Sequence, residues 1–307
     1  MTSNTNMASR DAGSVAQGLA AMWVAVIVFS VADAIGKWAG GEGFAATQIV
    51  FFRYLFGLVP LALVIWWNGV EAVKTRRFAA HILRGVLMSA ALALFFWGLA
   101  YVPLADGIAV AFTAPLFITA LSVPMLGERV GLPRWCAVLV GFIGMLVIVR
   151  PGSDSFQPAM LIIVGSAFVF ALGITYTRRL ARTETVAGMF TWTTLVSLAV
   201  FAPLAAISWK TPEPGHLTGF AVLGLIGGAA HYLVGIAYRN APAAVVAPQE
   251  YMALIWGAII GWMVWGDVPS AWTWAGAVIV AGAGGFIAMR EARAERRRKV
   301  QAAQVGA

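Results

Sequence analysis

An all-α integral membrane protein, with ten transmembrane helices in two inverted five-helix repeats, is the fold class this sequence predicts. Three observations carry the reading. Hydrophobic residues make up 61% of the chain and charged residues only 11%, a balance outside the range of ordinary soluble domains. Ten long apolar stretches follow one another, each approaching the ~20 residues that a helix needs to cross ~30 Å of hydrocarbon. The same unit also occurs twice. Gly98-Leu99-Ala100-Tyr101 is answered 137 residues later by Gly235-Ile236-Ala237-Tyr238, and Gly127-Glu128 with Trp135 is answered at an offset of 139 by Gly266-Asp267 with Trp274. Five spans per copy is an odd number, so the second copy enters the membrane with the opposite orientation.

The elements follow in order. Residues 1–17 read as a short polar lead on the cytoplasmic side. The first apolar run is too long for the h-region of a cleavable signal, and only Arg10 precedes it. Spans over 18–38, 46–67, 80–102, 105–126 and 133–150 make the first repeat, 18–150. A linker, 151–157, leads to spans over 158–178, 185–208, 217–239, 243–265 and 271–289, which make the second repeat, 158–290. The runs are continuously apolar rather than alternating, which argues against barrel strands. Pro115, Pro203, Gly227-Gly228 and Pro248 mark candidate bends in spans four, seven, eight and nine. Leu254 stands where Pro115 stands in the first copy, so the two central helices need not bend alike. Cys136 is the only cysteine, which rules out an intrachain disulfide, and its apolar neighbours suggest plain packing.

Lys and Arg set the expected orientation. With an inside N-terminus, the inner segments carry Arg10, Lys74, Arg76, Arg77, Arg84, Arg129, Arg134, Arg178, Arg179, Arg182, Arg239 and the six basic residues from Arg290 to Lys299. The outer loops carry only Arg150 and Lys210. Positive loops are retained in the cytoplasm, so both termini are expected inside, with 291–307 a basic cytoplasmic tail near lipid head groups. The net charge of +8 therefore reports topology, and no nucleic-acid partner is expected. Missing motifs narrow the field further. There is no GxxxxGK[ST] loop for ATP, no HExxH, and no paired cysteines or clustered histidines. His81 and His216 lie at span edges, where solvation is commoner than metal ligation. No G-x-S-x-G elbow is present. Neither a cofactor nor a metal is expected, and an enzyme is disfavoured.

Two inverted halves meeting at the bilayer midplane are the architecture of a secondary transporter, so the polar minority inside the spans holds the candidate chemistry. Ser30, Asp33 and Lys37 share one face of the first span. Asp33 lies about 8 Å from its outer boundary, and Arg53 about 10 Å down the second span. Two readings are open: a buried ion pair locking the two spans, or a cationic site for a substrate carboxylate with Asp33 as counter-ion. His231, Gly235 and Tyr238 share a face of the eighth span, and Gln249 and Glu250 lie early in the ninth at the depth of His231. Glu250 can take up a proton, bind an ammonium or simply hydrogen-bond, and it is the candidate proton-coupling group. Trp97 and Tyr101, one turn apart, are candidates because pseudo-symmetry would bring Tyr101 and its mate Tyr238 toward a central cavity. The expected path is therefore lined by Trp97, Tyr101, His231, Tyr238, Gln249 and Glu250, with Asp33 and Arg53 as the charged pair.

The run from Gly98 to Asp106, then Pro115, Gly127-Glu128 and Trp135, resembles the EamA domain of the drug/metabolite transporter superfamily. Ala237-Tyr238 through Ala241-Pro242, Gly266-Asp267 and Trp274 resemble a second one. The resemblance covers about residues 18–290. It implies a ten-helix carrier with both termini cytoplasmic in the bacterial inner membrane. In length and aromatic content the chain is most similar to the bacterial amino-acid exporters, including the aromatic amino acid exporter group. That implies export of small metabolites, amino acids first among them, by alternating access. A passive facilitator or channel, or an exporter of another metabolite or drug class, would use the same helices.

Overall fold

The computed structural model describes residues 2–128, 130–181, 183–241 and 243–305. Arg129, Arg182 and Pro242 lie outside the described residues, as do the side chains of Arg10 and of the tail beyond Arg293. The first repeat comprises α1 (Thr2–Gly41), α2 (Ala46–Phe56), α3 (Leu58–Asn68), a 3₁₀ turn (Val70–Val73), α4 (Phe78–Leu99), α5 (Leu104–Ala111), α6 (Ala114–Leu126) and α7 (Leu132–Val149). The second comprises α8 (Ala159–Leu180), α9 (Val186–Ile207), α10 (Pro214–Asn240), α11 (Ala243–Glu250), α12 (Met252–Trp265) and α13 (Ala271–Val305). Nine spans among the described residues are long and apolar enough to cross a membrane. The tenth is α11 with α12, divided at Tyr251. The chain is thus an all-helical membrane protein of ten spans in two repeats.

The central spans break at matching places. The α5–α6 span is interrupted at Phe112-Thr113, and Tyr251, which interrupts the α11–α12 span, follows Phe112 by the repeat offset of 139. The two spans therefore break at equivalent positions although Pro115 in the one corresponds to Leu254 in the other. Pro115 sits in the first turn of α6, just past the break, where its missing N–H would have had no partner anyway. It follows the interruption rather than causing it. Phe112 and Tyr251 face each other with ring centroids 4.7 Å apart, so the two breaks meet. Both spans then end alike, on Gly127 and Gly266 at φ 67 and 73, a left-handed conformation that glycine adopts without strain. Pro203 lies within a continuous α9 and Gly227-Gly228 within a continuous α10, while a break the sequence did not signal falls at Gly57.

Loops lie on two sides. One carries Glu42, Val102, Lys210 and Asp267 and is called the Glu42 side; the other carries Glu71 and Glu184 and is called the Glu71 side. Packing interlocks the repeats: α1 runs along α10, and at the symmetric place α4 runs along α8, while α7 lies on α13 and α2 beside α9. On the α7–α13 seam a Cβ at Gly276 would lie 2.5 Å from Ile148 Cγ1. Overpacking of this kind costs about 1–3 kcal/mol. Gly276→Val is expected to lower the melting temperature in detergent, and a melting curve compared with wild type checks it. Cys136 is exposed on the surface of α7, not packed as its neighbours suggested.

Candidate functional site

Asp33 on α1, Arg53 on α2 and His231 on α10 lie within the membrane-spanning bundle. Asp33 and Arg53 are nevertheless only half-buried and His231 is exposed. Each thus keeps surface that neighbouring helices leave uncovered within the spans. The site is built by close helix approach. A Cβ on buried Gly227 would lie 2.9 Å from Arg53 Cζ, so the glycine on α10 makes room for the guanidinium. One turn on, His231 donates from Nδ1 to the Gly227 carbonyl at 2.7 Å. Its ring stands T-shaped to Phe29 of α1, with 5.0 Å between centroids, and Phe29 stands one turn before Asp33.

Asp33 and Arg53 sense each other's charge. Among the described residues, however, neither makes an ion pair or a hydrogen bond to a protein group. Two opposite charges left unsatisfied by protein in a membrane interior require water or a ligand. Lys37, expected at the same depth, instead donates to the Val102 carbonyl at 2.6 Å and lies 5.1 Å from the Trp265 ring centroid.

From His231 the accessible face of α10 continues toward the Glu71 side through Gly235, where a Cβ would meet nothing within 4 Å, to Tyr238, which is 39% exposed. Tyr238 donates to Glu250 Oε1 at 2.6 Å. The nearest partner of Glu250 is therefore Tyr238 and not His231, whose depth it was expected to share. Gln249 has a buried Oε1 with no protein partner. Trp97 and Tyr101 are not brought to this group. They sit at the Glu42 end of α4 and in the following connection, 52% and 66% exposed. Inversion of the repeat places Tyr101 and Tyr238 toward opposite sides, so pseudo-symmetry separates these mates instead of gathering them. Phe29 and Gly227 belong to the site although the sequence did not mark them out, and each stands four residues from a residue that it did.

The Glu42 side is tightly joined. Gln48 and the Lys210 backbone exchange hydrogen bonds of 2.6 and 3.1 Å, and Lys210 Nζ also donates to the Glu42 carbonyl. His216, far from being simply solvated, accepts from the Glu213 N–H at 3.2 Å and stacks on Trp38. Gly36 and Gly40 of α1 close on Phe96 of α4 and on Ala100 just after it. On the Glu71 side, fully buried His81 is 3.0 Å from Glu184 in the α8–α9 connection. This hydrogen bond is the main cause holding the Glu184 carboxyl below its ordinary value of 4.5. A depressed carboxyl stabilises the fold above that ordinary value and loses its contribution as pH falls through the folded one. Glu184→Gln is accordingly expected to lower thermal stability at pH 7, with the deficit shrinking below about pH 4; paired melts at the two pH values check this.

Ten spans in interlocked inverted repeats, with charged groups inside the spans, are the architecture of a membrane transporter. The model of the EamA-like transporter family matches residues 16–150 and 157–289, and the chain belongs to that family. Among its relatives is an S-adenosylmethionine uptake transporter of Rickettsia felis, 29% identical over 92% of this chain and 95% of that one. A riboflavin transporter of Vibrio cholerae is 31% identical over 92% and 96%. The pseudopaline exporter CntI of Pseudomonas aeruginosa is 31% identical over 84% and 90%. The expected likeness to amino-acid exporters in particular is not what these names carry.

Proposed function

We propose that this protein is an alternating-access carrier of the inner membrane for metabolites with an α-amino-acid head group, S-adenosylmethionine being the first to test. The single observation that carries this reading is the Asp33–Arg53 pair, opposite charges within the spans, neither fully buried and, among the described residues, neither bonded to a protein group. A zwitterionic head matches it, carboxylate to Arg53 and ammonium to Asp33. S-adenosylmethionine has such a head and a flat ring system, and a relative is named for its uptake. Amino-acid export, the sequence-based expectation, uses the same head-group chemistry, and direction would follow the gradients.

The Glu71 side is taken as cytoplasmic, since the basic loops and both termini lie there. The contacts at the Glu42 side then support an inward-facing state, with a path from His231 past Gly235 to Tyr238. The rocking units mix the repeats, α1 with α10 against α4 with α8, because those pairs are packed along their length. Glu250, whose one hydrogen-bond partner among the described residues is Tyr238, remains the candidate proton-coupling group, and flux indifferent to pH in both wild type and Glu250→Gln would end that role. Counterflow in proteoliposomes with labelled S-adenosylmethionine, riboflavin and a panel of amino acids tests the whole reading. Accelerated exchange of S-adenosylmethionine or an amino acid is expected. Exchange of riboflavin alone would overturn the head-group assignment.

A further inference from the structure

His231 carries a constraint beyond its position in the path. A backbone carbonyl can only accept, so the 2.7 Å contact with the Gly227 oxygen places the proton on Nδ1. In the neutral ring the other nitrogen, Nε2, is then an acceptor. Among the described residues Nε2 has no protein partner, and the ring is exposed. The Gly227 carbonyl holds this tautomer, while the absent Gly227 side chain seats Arg53 directly alongside. Phe29, T-shaped to the imidazole at 82°, fixes the plane of the ring. The site therefore offers three different functions within one cluster: a cation at Arg53, an anion at Asp33 and a directed neutral acceptor at His231.

We infer that His231 is a specificity-determining residue whose Nε2 accepts a hydrogen bond from an N–H of the substrate head group, so that the carrier selects an amine over an isosteric group without a donor. The inference rests on the amino-acid-head reading above and sharpens it. Charge alone would let Asp33 hold any cation, including one with no N–H. Once the site closes around the ligand and water is excluded, an acceptor of fixed direction disfavours a ligand that cannot donate, because a group left without its partner there is costly. Gly227 is a positioning residue for both Arg53 and His231, and any side chain there would push the guanidinium away from its place.

Binding to the purified full-length protein tests this with three probes: S-adenosylmethionine, its 2-oxo analogue lacking the amine, and its decarboxylated analogue. Wild type is expected to prefer S-adenosylmethionine to the 2-oxo analogue. His231→Phe, which keeps a ring against Phe29, is expected to weaken S-adenosylmethionine roughly tenfold or more and leave the 2-oxo analogue unchanged. His231→Gln, whose amide oxygen can accept, is expected to restore most of the preference. Arg53→Ala serves as the control for the underlying site and should remove discrimination against the decarboxylated analogue. If Arg53→Ala has that effect while His231→Phe weakens both other probes equally, or neither, the inference about His231 falls and the head-group reading stands. If wild type binds none of the three, or Arg53→Ala changes nothing, the head-group reading falls and the inference with it.

Discussion

Arg53→Ala is expected to abolish concentrative transport while leaving the folded protein at least as stable as wild type. Losing one partner of a desolvated charge pair costs about 2–5 kcal/mol of binding, so the half-saturation concentration should rise roughly 30-fold or more. Arg53→Lys should recover part of this, since an ammonium retains the charge but not the bidentate geometry that suits a carboxylate. The stability half of the expectation separates the two sequence readings of this residue. If Arg53 served to lock α1 to α2 through Asp33, its removal would strand a carboxylate and lower the melting temperature. The structure shows no direct ion pair between them among the described residues, so little folding energy should depend on it. Flux and melting temperature, measured on the same preparation, decide the matter. A destabilised variant with unchanged kinetics would return Arg53 to a purely structural role.

Lys37→Met is expected to loosen the closure of the Glu42 side. The Lys37 ammonium ties α1 to the Val102 carbonyl after α4 and to the Trp265 face of α12, and it lies near Asp106 and Asp267. A hydrogen bond from a charged donor contributes about 1.5–3 kcal/mol, which corresponds to a shift of roughly tenfold or more in the balance between closed and open forms. Methionine keeps the length and the apolar stem but cannot donate. With Cys136 replaced by serine and a cysteine placed at Asp33, a membrane-impermeant maleimide added from the Glu42 side should react at least about tenfold faster when Lys37 is methionine. Unchanged labelling would show that the Gly36 and Gly40 contacts with α4, or the Gln48–Lys210 exchange, close this side without the lysine.

How much of this was legible in the chain differs from residue to residue. Asp33, Arg53, His231 and Glu250 stood out because a polar group in hydrocarbon is costly and must have a reason. Their mutual arrangement did not follow. Depth counted along each helix paired His231 with Glu250, whereas the packed structure gave Glu250 to Tyr238. Depth also grouped Lys37 with Arg53, yet the lysine turned to a backbone carbonyl that no side-chain pattern reveals. Trp97 and Tyr101 stood out through a repeated motif, but inversion sends the two copies of a motif toward opposite faces. Gly227 did not stand out as a site residue because a glycine announces flexibility in sequence, while here its role is the space it leaves for Arg53.

From the order of residues alone follow the membrane class, the ten helical spans with their places along the chain, and the repetition of one half in the other. Hydrocarbon imposes a nearly one-dimensional requirement, about 20 apolar residues with internally satisfied backbone, and a one-dimensional string can state it in full. Which helix lies beside which, where the central spans break and which polar groups share a space became definite only in three dimensions. Contacts such as Phe112 on Tyr251 and Gly227 under Arg53 depend on helix rotation and close approach, and lipid leaves those degrees of freedom to side-chain packing rather than to the apolar pattern.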